Sequence, residues 1–194
     1  MTAGIGHNQG PVLDTGTSWR RHCWSRARRD LLPRLPIEVL RNRVRRAQQI
    51  GLDYTTYATV RASTGRDIVA FLFSTNALRL FRADQALAAD RAARLAEIAA
   101  CERRALAIAP LRPAPLLSAL RRQHGDILDA AAAAPQVHDA WSDAAVALDA
   151  ALAPGMPADA VLLIGDTAME RDWSAAGRLA GYLSAARFFT QLPG

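Results

Sequence analysis

Apolar residues Ile37, Leu40, Val44 and Ala47 recur at alternating spacings of three and four, which is one stripe of a helix. Pro36 suits the first position of that helix, and Gly51 closes it after Ile50. An earlier helix is predicted from Trp19 to about Leu32, capped by Ser18 and stopped by Pro33. Its stripe is Trp19, Cys23, Ala27 and Leu31. Asp53 is placed to cap a short third helix carrying Tyr54, Tyr57, Ala58 and Arg61 and ending at Gly65. A fourth is expected from about Arg66 to Phe81. Within it, Ile68-Val69-Ala70-Phe71-Leu72-Phe73 is apolar on every side, the pattern of a buried core helix.

Beyond Arg82 the texture changes. Alanine supplies 26 of the 71 residues from Ala83 to Ala153. Alanine is the best helix former, so long helices are expected at about 84–109, 114–133 and 136–152, broken by Pro110, Pro113, Pro115 and Pro135. Ala160 to Ile164, followed by Gly165-Asp166, reads as a short strand before a turn. A single strand has nothing to pair with, so a helix or extended connector is preferred there. A last helix, 167–190, should bury Met169, Trp173, Leu179, Leu183 and Phe188. The expected fold is therefore all-α, a compact bundle of about seven or eight helices. Its parts would be a flexible leader at 1–17, a basic helical unit at 18–82 and an alanine-rich unit at 83–194 packed on it, or one domain over 18–194.

The leader holds four Gly and one Pro and shows no periodicity. Its segment Gly4-Ile5-Gly6-His7-Asn8-Gln9-Gly10-Pro11 resembles a short leader that begins various unrelated proteins of alphaproteobacteria and their phages. No activity travels with it.

Charge sharpens the division. All 24 basic residues are arginine, and ten of them lie between Arg20 and Arg46, opposed only by Asp30 and Glu38. Residues 1–82 carry 14 Arg against 5 acids, whereas residues 83–194 carry 10 Arg against 13. Codon usage in a GC-rich genome accounts for arginine in place of lysine, but not for the clustering. A basic front half points to an anionic partner. Arg20, Arg21, Arg26, Arg29, Arg41, Arg45 and Arg46 are the candidate contacts to nucleic acid or another anion, since the guanidinium fork suits phosphate. The alternatives are a solvated face, or neutralisation by Asp126, Asp129, Asp139, Asp143 and Asp149 within the fold. A helix-turn-helix over 53–81 is disfavoured, because its second helix lacks the polar face that base recognition needs.

Catalytic signals are sparse. No CxxC, HxxxH or HExxH spacing occurs, so no metal is expected. No GxGxxG or P-loop occurs, and without lysine neither a P-loop lysine nor a Schiff base is possible; no cofactor is expected. Cys23 on an apolar stripe reads as a small buried hydrophobe, with a Cys23 nucleophile served by His124 or His138 as a weaker reading. Asp166, Glu170 and Asp172 suit the dipole at a helix start better than acid–base work. Gly177 and Gly181 read as a site of close packing. Two cysteines far apart in the chain and no span of membrane length place the protein in the cytoplasm. Two functions follow as expectations: a nucleic-acid-binding or regulatory protein using the arginine face, or a helical adaptor or oligomerising protein docking an acidic protein. An enzyme stands third.

Overall fold

The apolar run expected to be a buried helix is the central strand of a parallel sheet. A computed structural model describes residues 35–82 and 84–190. The chain falls into two units, Met1–Leu40 and Arg41–Gly194. Within the described residues the order is α1 (Ile37–Gln49), α2 (Tyr54–Thr64), β1 (Ala70–Ser74), α3 (Ala89–Ala96), β2 (Glu102–Ala107), α4 (Pro113–His124), β3 (Ala130–Ala133), α5 (Trp141–Ala151), β4 (Val161–Gly165), α6 (Ala168–Ala176), β5 (Gly181–Ser184) and α7 (Ala185–Thr190). The all-α bundle is thus replaced by an α/β fold of seven helices on a five-stranded sheet, among the described residues.

Every ladder in the sheet is parallel, and the strand order is β3-β2-β1-β4-β5. Strand β1 pairs from Ala70↔Glu102 to Ser74↔Leu106 on one side and from Ala70↔Val161 to Phe73↔Ile164 on the other. The residues expected to lack a strand partner, Ala160 to Ile164, supply β4 with its partners β1 and β5. The long alanine-rich helices are cut the same way. β2 occupies the end of the first, β3 the end of the second, and β5 splits the last. Helix propensity is a weak prior of under about 1 kcal/mol per residue for these types, and a sheet that satisfies the backbone ladder overrides it. The tetra-alanine β3 is the extreme case.

Parallel sheets are covered on both faces, so their strands read as unbroken apolar runs. All five residues of β1 and all five of β4 are buried. Alternate side chains feed two cores. Phe71, Phe73, Ala105, Leu162, Ile164 and Leu183 face α1, α2, α3, α4 and α7 through Ala47, Ile50, Tyr57, Leu95, Leu116 and Phe188. Ala70, Leu72, Leu106, Val161 and Leu163 face α5 and α6 through Leu148, Ala151, Trp173 and Ala176. Phe71, Phe73 and Phe188 meet ring to ring at 5.4–5.7 Å. Among the described residues no helix is long and apolar enough to cross a membrane.

The helices expected from Pro36 to Ile50 and from Asp53 to Gly65 form as read from the sequence, whereas the leader at 1–17 and the helix expected from Trp19 to Leu32 lie outside the described residues. Asp53 caps α2 by accepting the Thr56 amide at 2.9 Å, and Gly65 ends it in the left-handed conformation. Gly177 closes α6 where an added Cβ would lie 2.9 Å from Leu148 Cδ1, so it admits close packing of α5. Gly165 is tighter, with an added Cβ 2.7 Å from the Tyr182 ring and 2.9 Å from Glu170 Cβ. Gly165→Ala is therefore expected to destabilise the fold by about 1–3 kcal/mol through overpacking. Urea unfolding followed by circular dichroism reads this; an unchanged midpoint would mean that the β4–α6 turn has room to spare.

Candidate functional site

Strand order reverses at β1. The chain leaves β1 towards β2 on one side and later returns through β4 on the other. In open α/β sheets the crevice beyond the carboxyl ends of such a pair is where ligands bind. At this edge the chain supplies Ser74-Thr75-Asn76 after β1, Ile108-Ala109-Pro110 after β2 and Asp166-Thr167 after β4.

The β1 end is tightly held. Ser74 Oγ accepts the Ala77 amide at 3.0 Å, and Thr75 Oγ1 accepts the Ile108 amide at 3.2 Å. The Thr75 amide donates to Leu106 O at 3.0 Å, which ties the ends of β1 and β2 together. Both residues are fully buried. Asn76 is half-buried, and its side-chain amide has no partner among the described residues. A cleft of about 260 Å³ opens here, lined by Thr75, Asn76, Leu80, Phe81 and the segment Ile108–Leu111, with a cis bond before Pro110. It is mostly apolar with a few polar groups, as small-molecule sites are.

At the β4 end, Thr167 and Glu170 form a capping box on α6. Glu170 is completely buried, and its Oε2 accepts from the Asp166 and Thr167 amides and the Thr167 hydroxyl at 2.6–2.8 Å. Its Oε1 has no partner among the described residues. The acid cluster 166–172 therefore includes a structural carboxylate at a helix start, as its position in the sequence suggested. Asp166 and Asp172 are exposed.

Arg91 of α3 reaches over this edge. Its Nη1 donates to Ala77 O, and its guanidinium stacks on the Phe189 ring at 4.3 Å. Burial and the neighbouring positive charge of Arg79 pull its pKa down, against the attraction of Asp90 and Asp166. Among the described residues no carboxylate lies within 4.0 Å of it. The other inward-held arginines are paired: Arg46 with Asp67, Arg94 with Glu97, Arg103 with Asp129 and Arg104 with Glu102.

The residues singled out from sequence are distributed differently. Arg20, Arg21, Arg26 and Arg29, with His22, Cys23, Trp19 and Trp24, lie outside the described residues. Arg41 and Arg45 are exposed on α1. Arg46 is turned inward: Nε donates to Asp67 at 3.0 Å, Nη1 to Ala100 O at 3.0 Å and Nη2 to Ile68 O at 2.8 Å. It fastens α1 to the entry of β1. Of the acids considered as neutralisers, Asp126 pairs with Arg121, Asp129 with Arg103, and Asp139 accepts the Gln136 amide. His124 ends α4 and His138 lies in the β3–α5 loop. Among the described residues no group of three metal-ligating side chains exists. Burial raises the Cys101 thiol to about 12.

Sequence reasoning missed Thr75, Asn76, Arg79 and Arg91. A signal for the first two was present: two short apolar runs each give way to a cluster of small polar residues, Ser74-Thr75-Asn76 and Gly165-Asp166-Thr167. No family model matches this chain, and no curated protein or solved structure matches it.

Glu170→Ala is expected to cost roughly 2–3 kcal/mol in urea unfolding, because it strands two amides at a buried helix start, while Glu170→Gln retains an acceptor and should cost about 1 kcal/mol. Equal losses in both would assign the effect to packing. In a Cys23→Ser background, Cys101 is expected to resist a thiol reagent at pH 8 until denaturant is added; rapid native-state labelling would contradict its burial.

Proposed function

We propose that the chain is a binding domain for an anionic, phosphate-class ligand at the carboxyl edge of its sheet, with Arg91 as the principal cation. The observation that carries this reading is the state of Arg91. It is half-buried, beside Arg79, and without a close carboxylate. A guanidinium desolvated next to another cation is costly unless an anion completes it. Arginine also presents its donors in the fork that phosphate oxygens match. Further support comes from the helices. The crossover helices α3 and α4 begin at the edge where the strands end, and both, after Ala88 and Arg112, lack a side-chain cap. Their positive dipole ends favour an anion. The adjoining cleft, with Asn76 unpartnered, receives the uncharged part of the ligand.

Titration with inorganic phosphate and with a nucleoside monophosphate tests this, read as a rise in melting temperature and by calorimetry. At a hundredfold excess over Kd, stabilisation should be about 2.7 kcal/mol. Arg91→Lys is expected to weaken binding roughly tenfold, or about 1.4 kcal/mol, and Arg79→Gln to weaken it less. No saturable binding, or equal affinity in both variants, would sink the reading.

A second reading retains the arginine face, because α1 buries Ala47 while presenting Arg41 and Arg45 to solvent. These two would engage nucleic acid, in a regulatory role, or else an acidic protein; Arg20, Arg21, Arg26 and Arg29, outside the described residues, stay candidates from the sequence alone. Arg46 leaves this set, being spent inside the fold. Binding to a mixed-sequence duplex should fall steeply between about 50 and 200 mM salt. The double variant Arg41→Glu, Arg45→Glu should weaken it without lowering stability, and unchanged affinity there would remove the face from consideration. A cytoplasmic setting fits a buried, free Cys101.

A further inference from the structure

Residues 123–170 contain eight carboxylates and no arginine, in a chain that has 24 arginines. Some of those acids are accounted for. Asp126 and Asp129 pair with Arg121 and Arg103, Asp159 pairs with Arg66 at 2.8 Å, and Glu170 caps α6. Asp139, Asp143, Asp149 and Asp166 make no ion pair, and neither does Asp172 of α6, although Asp139 accepts the Gln136 amide: among the described residues no arginine lies within 4.0 Å of any of them. In a protein with spare cations, the four of these on α5, α6 and the loop before α5 form a local negative field.

The same region exposes large apolar side chains. Val137 is 78 % exposed, Trp141 60 % and Val146 69 %. A groove of about 130 Å³ lies between the β3–α5 loop, α5 and α6, and its lining includes Val137, Asp139, Trp141, Met169, Asp172 and Trp173. An open tryptophan beside a small groove of mixed polar and apolar lining is the form of an interface anchor. Burying it against an acidic partner would add like-charge repulsion to unpaired carboxylates, so charge selects the partner.

We infer that the groove between α5 and α6 docks an arginine-rich amphipathic segment of a partner protein, whose apolar anchor packs against Trp141 while its arginines pair with Asp139, Asp143 and Asp172. This groove shares no lining residue with the cleft beside Thr75 and Asn76, and its charge is opposite to that of Arg91.

The test uses the full chain and two designed peptides, each with a stripe of leucines, flanked in one by arginines and in its twin by glutamates. Tryptophan fluorescence and calorimetry should show micromolar binding of the arginine peptide, weakening with salt, and none of the twin. Trp141→Ala, at an exposed position, should weaken binding at least tenfold with an unchanged melting temperature. The triple variant Asp139→Asn, Asp143→Asn, Asp172→Asn should weaken it several-fold and flatten its salt dependence. Equal binding of both peptides, no binding of either, or full affinity in Trp141→Ala would overturn the proposal. So would self-association in light scattering that Trp141→Ala abolishes, which would make the occupant a second copy. Phosphate titration of the Trp141 variant should match wild type, so this groove and the Arg91 site stand or fall separately.

Discussion

The parallel pairing of β1 with both β2 and β4 is the constraint from which the rest of the fold follows. A strand bonded on both sides in parallel has no hairpin to either neighbour, so each connection must cross over a face of the sheet. Both faces are then covered, and every residue of β1 loses contact with water. Because the connection from β1 to β2 and the connection from β4 to β5 pass over opposite faces, the loops leaving β1 and β4 diverge and open a crevice at their carboxyl ends. Thr75, Asn76, Asp166 and Thr167 gather there as a consequence of topology, although they lie some ninety positions apart along the chain.

Arginine does much of the fastening that this arrangement needs. Asp67, immediately before β1, takes Arg46 from α1, the Tyr57 hydroxyl from α2 at 2.8 Å and Arg61 at 3.8 Å. Arg94 donates from α3 to Gly51 O at 2.6 Å and pairs with Glu97, and Arg104 of β2 donates to Ala151 O at the end of α5 at 2.6 Å. Apart from the Arg94–Glu97 pair within α3 and its cap, these bonds join different elements, and Arg46, Arg94 and Arg104 use the several donors of a guanidinium to satisfy carbonyls and carboxylates together. Clustered arginine in this chain is therefore partly internal scaffolding, which sequence charge alone does not distinguish from a binding face.

Local signals were legible where local physics decides. The stripe of α1, the Asp53 cap, the Gly65 stop and the close approach at Gly177 all follow from spacing or from backbone geometry. The strands were not legible, because their determinants lie elsewhere in the chain. Ile68 to Phe73 is apolar on both sides, and periodicity cannot separate a doubly buried strand from a buried helix; only the shortness of the run, bounded by Gly65 and Ser74, argues for a strand. β3 is four alanines, whose preference is helical, and pairing with Arg104 to Ala107 of β2 makes it a strand. The site residues shared this difficulty, since a carboxyl edge exists only once the strand order is known. The arginine window was visible from the start, but the inward turn of Arg46 depends on Asp67, a residue 21 positions away that shows nothing distinctive in sequence.

Unpaired charge is informative in proportion to how easily it could have been paired. On the outside of this fold the exposed pairs Arg66–Asp159 and Arg82–Asp84 contribute little stability, yet they show that solvent-facing charges here find partners when geometry allows. Arg91 meets Asp166 only at longer range, and it bears the repulsion of Arg79 instead of a close carboxylate. Asp139 and Asp143 border exposed apolar side chains in a stretch emptied of arginine, and Asp172 lines the same groove. A sequence shaped only for stability would have used its surplus arginine to relieve one of these places. That neither is relieved separates them from the scaffolding pairs, and it is what supports the two proposals, an anion beside Arg91 and a basic segment at the groove between α5 and α6.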